Sequence, residues 1–128
     1  MVVSQKAKIG LIAVIIVIST VLVLNIRTKT NHIQIIYFRE SSCIVVEKTD
    51  DAMEEIRNDL GNSVTIKTIS LDNKESLTQE ENELIIKYQV IGTPEIIING
   101  KEYTKEFTKE ELEKEICKKF LIKPDGCK

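Results

Sequence analysis

The sequence predicts an α/β fold in which a central mixed β-sheet is flanked by helices, with an additional N-terminal transmembrane helix. Three observations indicate this class. Runs of β-branched residues alternate with segments of helical periodicity in the order β-α-β-α-β-β-α. A long uncharged segment precedes them. Charged residues make up 30% of the chain and hydrophobic residues 42%, proportions that are typical of a globular protein.

The first strand and the first helix are predicted on either side of a serine pair. The run IQIIYF (33–38) is apolar almost throughout, as in a strand that is buried on both faces. From Cys43 onward, apolar residues recur near helical spacing until Gly61, which predicts the end of the helix. We expect Ser42 or Ser41 to cap this helix at its N-terminus.

The remaining elements follow from shorter patterns. SVTIKTISL (63–71) alternates as a strand does, and KESLTQEENELIIKYQV (74–90) predicts a helix that packs through its later half. Three consecutive isoleucines form a third strand, and the NG dipeptide after them predicts a type I′ turn into a partner strand over 101–105. The last helix is predicted to begin with a capping box formed by Thr108 and Glu111.

The distribution of charge excludes several classes of function. Residues 1–30 carry four basic residues and no acid, whereas the rest of the chain carries 14 basic and 20 acidic residues, a net charge of −6. A mildly acidic domain without a basic stripe is not expected to bind nucleic acid. The chain has one histidine, His32, and no His/Cys cluster with metal-ligand spacing, so we expect neither a metal site nor a cofactor.

The N-terminal segment has the properties of a membrane anchor. A basic leader precedes residues 9–26, which form an 18-residue run without charge or proline. In a helix this run spans roughly 27 Å, enough for a thin or slightly deformed bilayer. Its length, and the lack of small residues after it, favour an uncleaved signal anchor over a cleaved signal peptide. A buried core helix is the third interpretation.

The chain is therefore divided into a leader (1–8), a transmembrane signal anchor (9–26), a linker (27–32), an α/β domain (33–120) and a C-terminal tail (121–128). We expect a single-pass membrane protein whose domain lies outside the cytoplasm, where disulfides persist.

Two motifs of the domain carry a further signal. YFRESSC (37–43) lies at the first strand-to-helix junction, and YQVIGTPEIIINGK (88–101) leads into the third strand. Together they resemble the thioredoxin superfamily over residues 33–120, which implies a thioredoxin-like fold and thiol–disulfide exchange. The family commonly has a second cysteine three residues after the first, where Val46 stands here. Thioredoxins proper also have a buried acid at the position of Tyr37.

Cys43 is the candidate nucleophile. A cysteine at a helix start lies among unpaired backbone N–H groups at the positive end of the helix dipole. Both features favour the thiolate form, which attacks disulfides. The resemblance accordingly implies a catalytic role for Cys43. The other interpretation is a small apolar residue that fills the core at the start of the helix.

Thr93 and Pro94 resemble the cis-proline element of the family. A cis bond preceding Pro94 would bend the chain so that Thr93 faces Cys43, and the resemblance implies that the backbone of Thr93 pairs with an extended substrate segment. The alternative is a trans proline that ends the helix and opens an edge strand.

Cys117 and Cys127 are the remaining cysteines. KPDG (123–126) forms a turn that can bring Cys127 back to Cys117 in the last helix, and this pairing leaves Cys43 free. We expect a structural disulfide; a second redox pair is the alternative.

The sequence leaves two interpretations of function open. The first is a membrane-tethered thioredoxin-like protein that acts on thiol- or disulfide-bearing proteins through Cys43, an enzyme of single-cysteine type. The second is a non-catalytic accessory module that holds an extended peptide at the Thr93-Pro94 surface. Val46 favours the second interpretation, and Cys43 at a helix start favours the first.

Overall fold

The structure is a computed structural model, and it describes residues 31–127. Within these residues, four strands and three α-helices follow one another in the predicted order. The strands are β1 (Ile33–Arg39), β2 (Val64–Ser70), β3 (Glu95–Ile98) and β4 (Lys101–Glu102). The helices are α1 (Ile44–Leu60), α2 (Gln79–Tyr88) and α3 (Lys109–Cys117).

The strands form one mixed sheet in the order β2-β1-β3-β4. β1 lies parallel to β2, with Ile35 opposite Ile66, and antiparallel to β3, with Ile35 opposite Ile98. A parallel neighbour requires a crossover connection, and α1 supplies it. The predicted central mixed sheet flanked by helices is confirmed.

Alternation along the strands divides the core between the two faces of the sheet. Helices α1 and α3 cover one face, where their apolar residues pack against alternate residues of β1 and β3, including Ile33, Ile35 and Tyr37. Helix α2 covers the other face, where Phe38 and Ile97 are buried. Successive side chains of a strand point to opposite faces, so a nearly continuous apolar run gives a strand that is buried on both sides.

The hairpin between β3 and β4 has the predicted turn. Asn99 and Gly100 both have positive φ, 49° and 79°, as the two central residues of a type I′ turn require. Asn99 also holds the turn against β1, because its Oδ1 atom accepts a hydrogen bond from the Gln34 N–H at 2.8 Å.

Helix α2 is shorter than predicted, since residues 74–76 form a separate 3-10 turn. Thr78 caps α2 through a complete capping box with Glu81: each side chain accepts a bond from the other residue's N–H. The capping box predicted for α3 is only half formed. The Thr108 side chain accepts from the Glu111 N–H, whereas the Glu111 carboxylate pairs with Lys114 at 3.1 Å.

β4 is also shorter than the predicted strand over 101–105. Tyr103 still donates its N–H to the Ile96 carbonyl at 2.8 Å, but its hydroxyl donates to the Glu106 carbonyl at 2.6 Å. This second bond curls the chain towards α3, so the sheet pairing ends at Glu102.

The predicted single-pass membrane localisation requires correction. Among residues 31–127, no helix combines the length and the apolar character that crossing a bilayer requires. The predicted leader (1–8) and anchor (9–26), and most of the predicted linker (27–32), lie outside the described residues.

Candidate functional site

Cys43 lies at the junction between β1 and α1. It is the N-cap residue of α1, with extended backbone angles (φ −89°, ψ 121°), and its side chain is partly exposed. The predicted cap at Ser42 or Ser41 is therefore wrong. Ser41 is engaged elsewhere, because its N–H and its hydroxyl donate to the two carboxylate oxygens of Asp72 at 2.7 and 2.8 Å.

The thiol of Cys43 faces the loop before β3. The Thr93–Pro94 peptide bond is cis, and the Sγ atom of Cys43 lies 3.5 Å from the carbonyl oxygen of Thr93. This distance is within hydrogen-bonding range for an S–H donor and a carbonyl acceptor. The two motifs, fifty residues apart in sequence, therefore meet at one point of the surface.

Val46 occupies the position one turn after Cys43. Its side chain is 1% exposed, and its N–H donates to the Cys43 carbonyl at 3.0 Å, as expected in the first turn of a helix. Residues three apart on a helix lie on the same face, so Val46 is the neighbour that a second thiol would replace.

A polar network lies beside this turn, at the end of β1. The hydroxyl of Tyr37 donates to Asp50 at 2.8 Å, and the other carboxylate oxygen of Asp50 forms an ion pair with Arg39 at 3.0 Å. Burial of the ring, followed by the hydrogen bond to Asp50, raises the pKa of Tyr37 far above its usual range. Tyr37 is therefore a neutral hydrogen-bond donor that fixes Asp50.

Asp72 is a second fixed carboxylate on the far side of Ser41. Hydrogen bonds from Ser70 and from Ser41 lower the pKa of Asp72, which is therefore negatively charged at neutral pH. Asp72 joins the end of β2 to the β1–α1 junction through these bonds.

An open cleft of about 410 Å³ adjoins Cys43. Its walls are formed by residues of the β1 end and of the first two turns of α1: Arg39, Ser41, Ser42, Cys43, Ile44, Val46, Glu47 and Asp50. The lining of the cleft thus contains a thiol, apolar side chains and charged side chains.

Apolar residues are exposed around the thiol. Ile44 is 90% exposed and Val45 is 47% exposed at the start of α1, and Ile91 is fully exposed in the loop that leads to Thr93. Exposed apolar side chains on the two segments that meet at the thiol are features of surfaces that contact other proteins.

The other two cysteines lie at the far end of α1. Cys117 and Cys127 form a disulfide with Cα atoms 5.6 Å apart. The loop that it closes lies against the end of α1, where a Cβ atom added to Gly126 would overlap the backbone of Asp59. Cys43 is the free cysteine of the chain.

Sequence reasoning missed the carboxylates of the site. Asp50 stands four residues after Val46 and three before Met53, so it interrupts the apolar stripe of α1. A charged residue in a buried stripe signals a partner, here the hydroxyl of Tyr37 and the guanidinium of Arg39. Within residues 31–127, no three His, Cys, Asp or Glu side chains are grouped so that they could hold a metal ion.

No family model and no curated protein matches the sequence of the chain. Solved structures do match its fold. One is described as a malarial protein, with a TM-score of 0.53 at 20% identity, over 72% of this chain and 100% of that one. Another is the Malassezia sympodialis thioredoxin Mala s 13, with a TM-score of 0.52 at 15% identity, over 72% and 78% of the two chains.

A third match is the germline-specific thioredoxin Deadhead from Drosophila melanogaster. Its TM-score is 0.53 at 13% identity, over 77% of this chain and 89% of that one. Residues 31–127 therefore have a thioredoxin-like fold.

Proposed function

We propose that the protein takes part in thiol–disulfide exchange with Cys43 as its single nucleophile. One observation carries the proposal. Cys43 is partly exposed, and its Sγ atom lies 3.5 Å from the carbonyl oxygen of Thr93, at the point where the two family-like motifs meet. A thiol at a helix start and the backbone of the partly exposed Thr93 thereby lie beside each other for the same substrate segment.

The chemistry requires one sulfur from this chain and two external partners. Cys43 loses its S–H proton to solvent, and the thiolate attacks one sulfur of a substrate disulfide. The other substrate sulfur leaves as a thiolate with the electron pair of the broken S–S bond, which produces a mixed disulfide. An external thiolate then attacks this adduct, and Cys43 departs as the thiolate.

The surroundings of Cys43 suit a protein substrate. An extended segment that lies beside Thr93 can pair with its backbone, and exposed Ile44 and Ile91 contact apolar side chains of that segment. Burial of apolar surface stabilises such a complex by roughly 25 cal/mol per Å² before the cost of association is subtracted.

A non-catalytic binding module is the second candidate function. The observation in its favour is Val46, a buried apolar residue at the position where the family commonly has its second cysteine. Without a resolving thiol in the chain, the same surface can hold an extended peptide at Thr93 and Pro94 with no turnover.

Alkylation of the native protein distinguishes the two functions. Because Cys117 and Cys127 form a disulfide, a thiol reagent added without reductant reports on Cys43 alone. We expect Cys43 to be alkylated in the folded state and to form a mixed disulfide with a protein disulfide substrate, both measured by mass spectrometry. Cys43→Ser should abolish the adduct with an unchanged circular dichroism spectrum. Alkylation that begins only after denaturation would establish a buried thiol and the binding module.

A further inference from the structure

We propose that Glu47 and the cleft beside Cys43 select substrate segments that carry a basic side chain next to their cysteine. This inference rests on the proposed exchange function, and it adds a substrate class that the fold alone does not define.

The position of the cleft is the first reason. It is about 410 Å³ in volume, and both Cys43 and Val46 belong to its wall. A substrate sulfur bonded to Cys43 therefore places the neighbouring residue of the substrate at the mouth of the cleft. The volume is sufficient for one long side chain.

The charge of the cleft is the second reason. Arg39 is the positively charged residue of the cleft wall, and its charge is compensated by Asp50, with which it forms an ion pair at 3.0 Å. Glu47 is exposed and has no ion-pair partner among residues 31–127. Asp72, which accepts the Ser41 N–H, is a further carboxylate next to a wall residue but is not itself part of the wall. The carboxylates thus exceed the cation, and Glu47 is the carboxylate that remains unpaired in the wall.

The combination of apolar and acidic walls is the third reason. A lysine or arginine side chain has an aliphatic stem and a cationic end. The stem matches the exposed side chain of Ile44, and the cationic end matches the carboxylate of Glu47. An acidic side chain in the same place would meet like charge, so it is disfavoured.

Peptides that carry one cysteine as its mixed disulfide with 5-thio-2-nitrobenzoate test this inference. The set contains the same peptide with Lys, Gln or Glu beside the cysteine. The Cys43 thiolate attacks the peptide sulfur, and 5-thio-2-nitrobenzoate leaves with the electron pair of the old S–S bond, which is followed by its absorbance. The rate of Cys43 with each peptide is divided by the rate at which 2-mercaptoethanol, a thiol without a charged side group, reacts with the same peptide. This ratio removes differences in the intrinsic reactivity of the peptide disulfides.

At low salt we expect the Lys peptide to react about threefold faster than the Gln peptide, and the Glu peptide to react more slowly than the Gln peptide. The expected difference in rate is small because an exposed ion pair contributes little energy, and low salt is used because salt screens it. Glu47→Gln should remove this preference, and Glu47→Lys should reverse it. Glu54→Gln removes the same charge from an exposed position further along α1, outside the cleft, and should leave the preference unchanged.

The outcomes separate the inference from the proposed function. Equal rates for all peptides, or a preference that persists in Glu47→Gln, would overturn the inference and leave exchange at Cys43 intact. No adduct with any peptide would overturn the exchange function, and the inference with it.

Discussion

Val46→Cys should convert the single-cysteine site into one that releases its own adducts. Val46 follows Cys43 by three residues, both line the same cleft, and the side chain of Val46 is 1% exposed. A thiol introduced there is protected from bulk solvent but lies on the same helix face as Cys43. It can therefore attack the mixed disulfide from within the chain.

The expected change in adduct lifetime follows from the change of the release step from an intermolecular to an intramolecular reaction. Well-oriented intramolecular reactions reach effective molarities of about 10⁵ M, and even about 1 M exceeds a 1 mM external thiol roughly a thousandfold. The adduct lifetime should fall by a comparable factor. The substitution removes about one buried methyl group from the core, so it should lower the free energy of unfolding by only about 1 kcal/mol.

The assay measures the decay of a preformed adduct between Cys43 and a peptide thiol, by mass spectrometry at fixed pH in about 1 mM external thiol, the concentration used for the comparison of rates. Val45→Cys is the matched control, since it adds a thiol to the adjacent, 47% exposed position, on a different helix face. Equal adduct lifetimes in Val46→Cys and Val45→Cys would refute the reasoning.

Three further predictions concern stability. Cys127→Ser opens the loop that the disulfide closes over a separation of 10 residues, and chain entropy then predicts a loss of about 2.7 kcal/mol, measured by urea denaturation. Tyr37→Phe leaves Asp50 without its buried donor, which should lower the melting temperature by roughly 5–10 °C. Hydrogen bonds from Lys105 and, to a smaller extent, from Lys118 lower the pKa of Glu115 to about 2. Because this pKa is depressed in the folded protein, its contribution is complete above about pH 4.5 and is lost as the pH falls towards 2, so Glu115→Gln should weaken the acid dependence of stability there.

Matched controls and contrary outcomes accompany these three predictions. Tyr88→Phe removes a hydroxyl for which the structure shows no hydrogen bond, so it should leave the melting temperature nearly unchanged; equal losses in Tyr37→Phe and Tyr88→Phe would contradict the role of Asp50. Glu54→Gln removes an exposed carboxylate that has no ion pair within residues 31–127, and it should not alter the acid transition. An unchanged urea midpoint in Cys127→Ser would show that the closed loop contributes nothing to stability.

Much of the fold could be predicted from the sequence because local and long-range signals agree. The apolar run of β1, the NG turn and the alternation of strands and helices all specify the same sheet. The errors occurred where a side chain competes with the backbone. Asn73 accepts a hydrogen bond from the Glu75 N–H and caps a separate 3-10 turn, so α2 begins only at Gln79. The Glu111 carboxylate forms an ion pair with Lys114 instead of completing the cap of α3.

The site was only partly predictable for a different reason. Cys43, Thr93 and Pro94 could be named because each stands in a short motif. The Arg39–Asp50 pair spans two elements, so its partners are defined only once β1 and α1 pack together. The cleft beside Cys43 depends on the same packing, and no local pattern in the sequence encodes its charge.

The single free cysteine also fixes the kinetic order of the proposed reaction. Since Cys43 has no second thiol in its own chain to release the adduct, the rate of release depends on an external thiol. Release should therefore rise in proportion to the concentration of that thiol, whereas in Val46→Cys it should be nearly independent of it. The substrate surface is the same in both proteins, so this difference isolates the resolving step from recognition. Release that is independent of external thiol in the unmodified chain would mean that the substrate supplies its own second sulfur, and Cys43 would then form only a transient adduct.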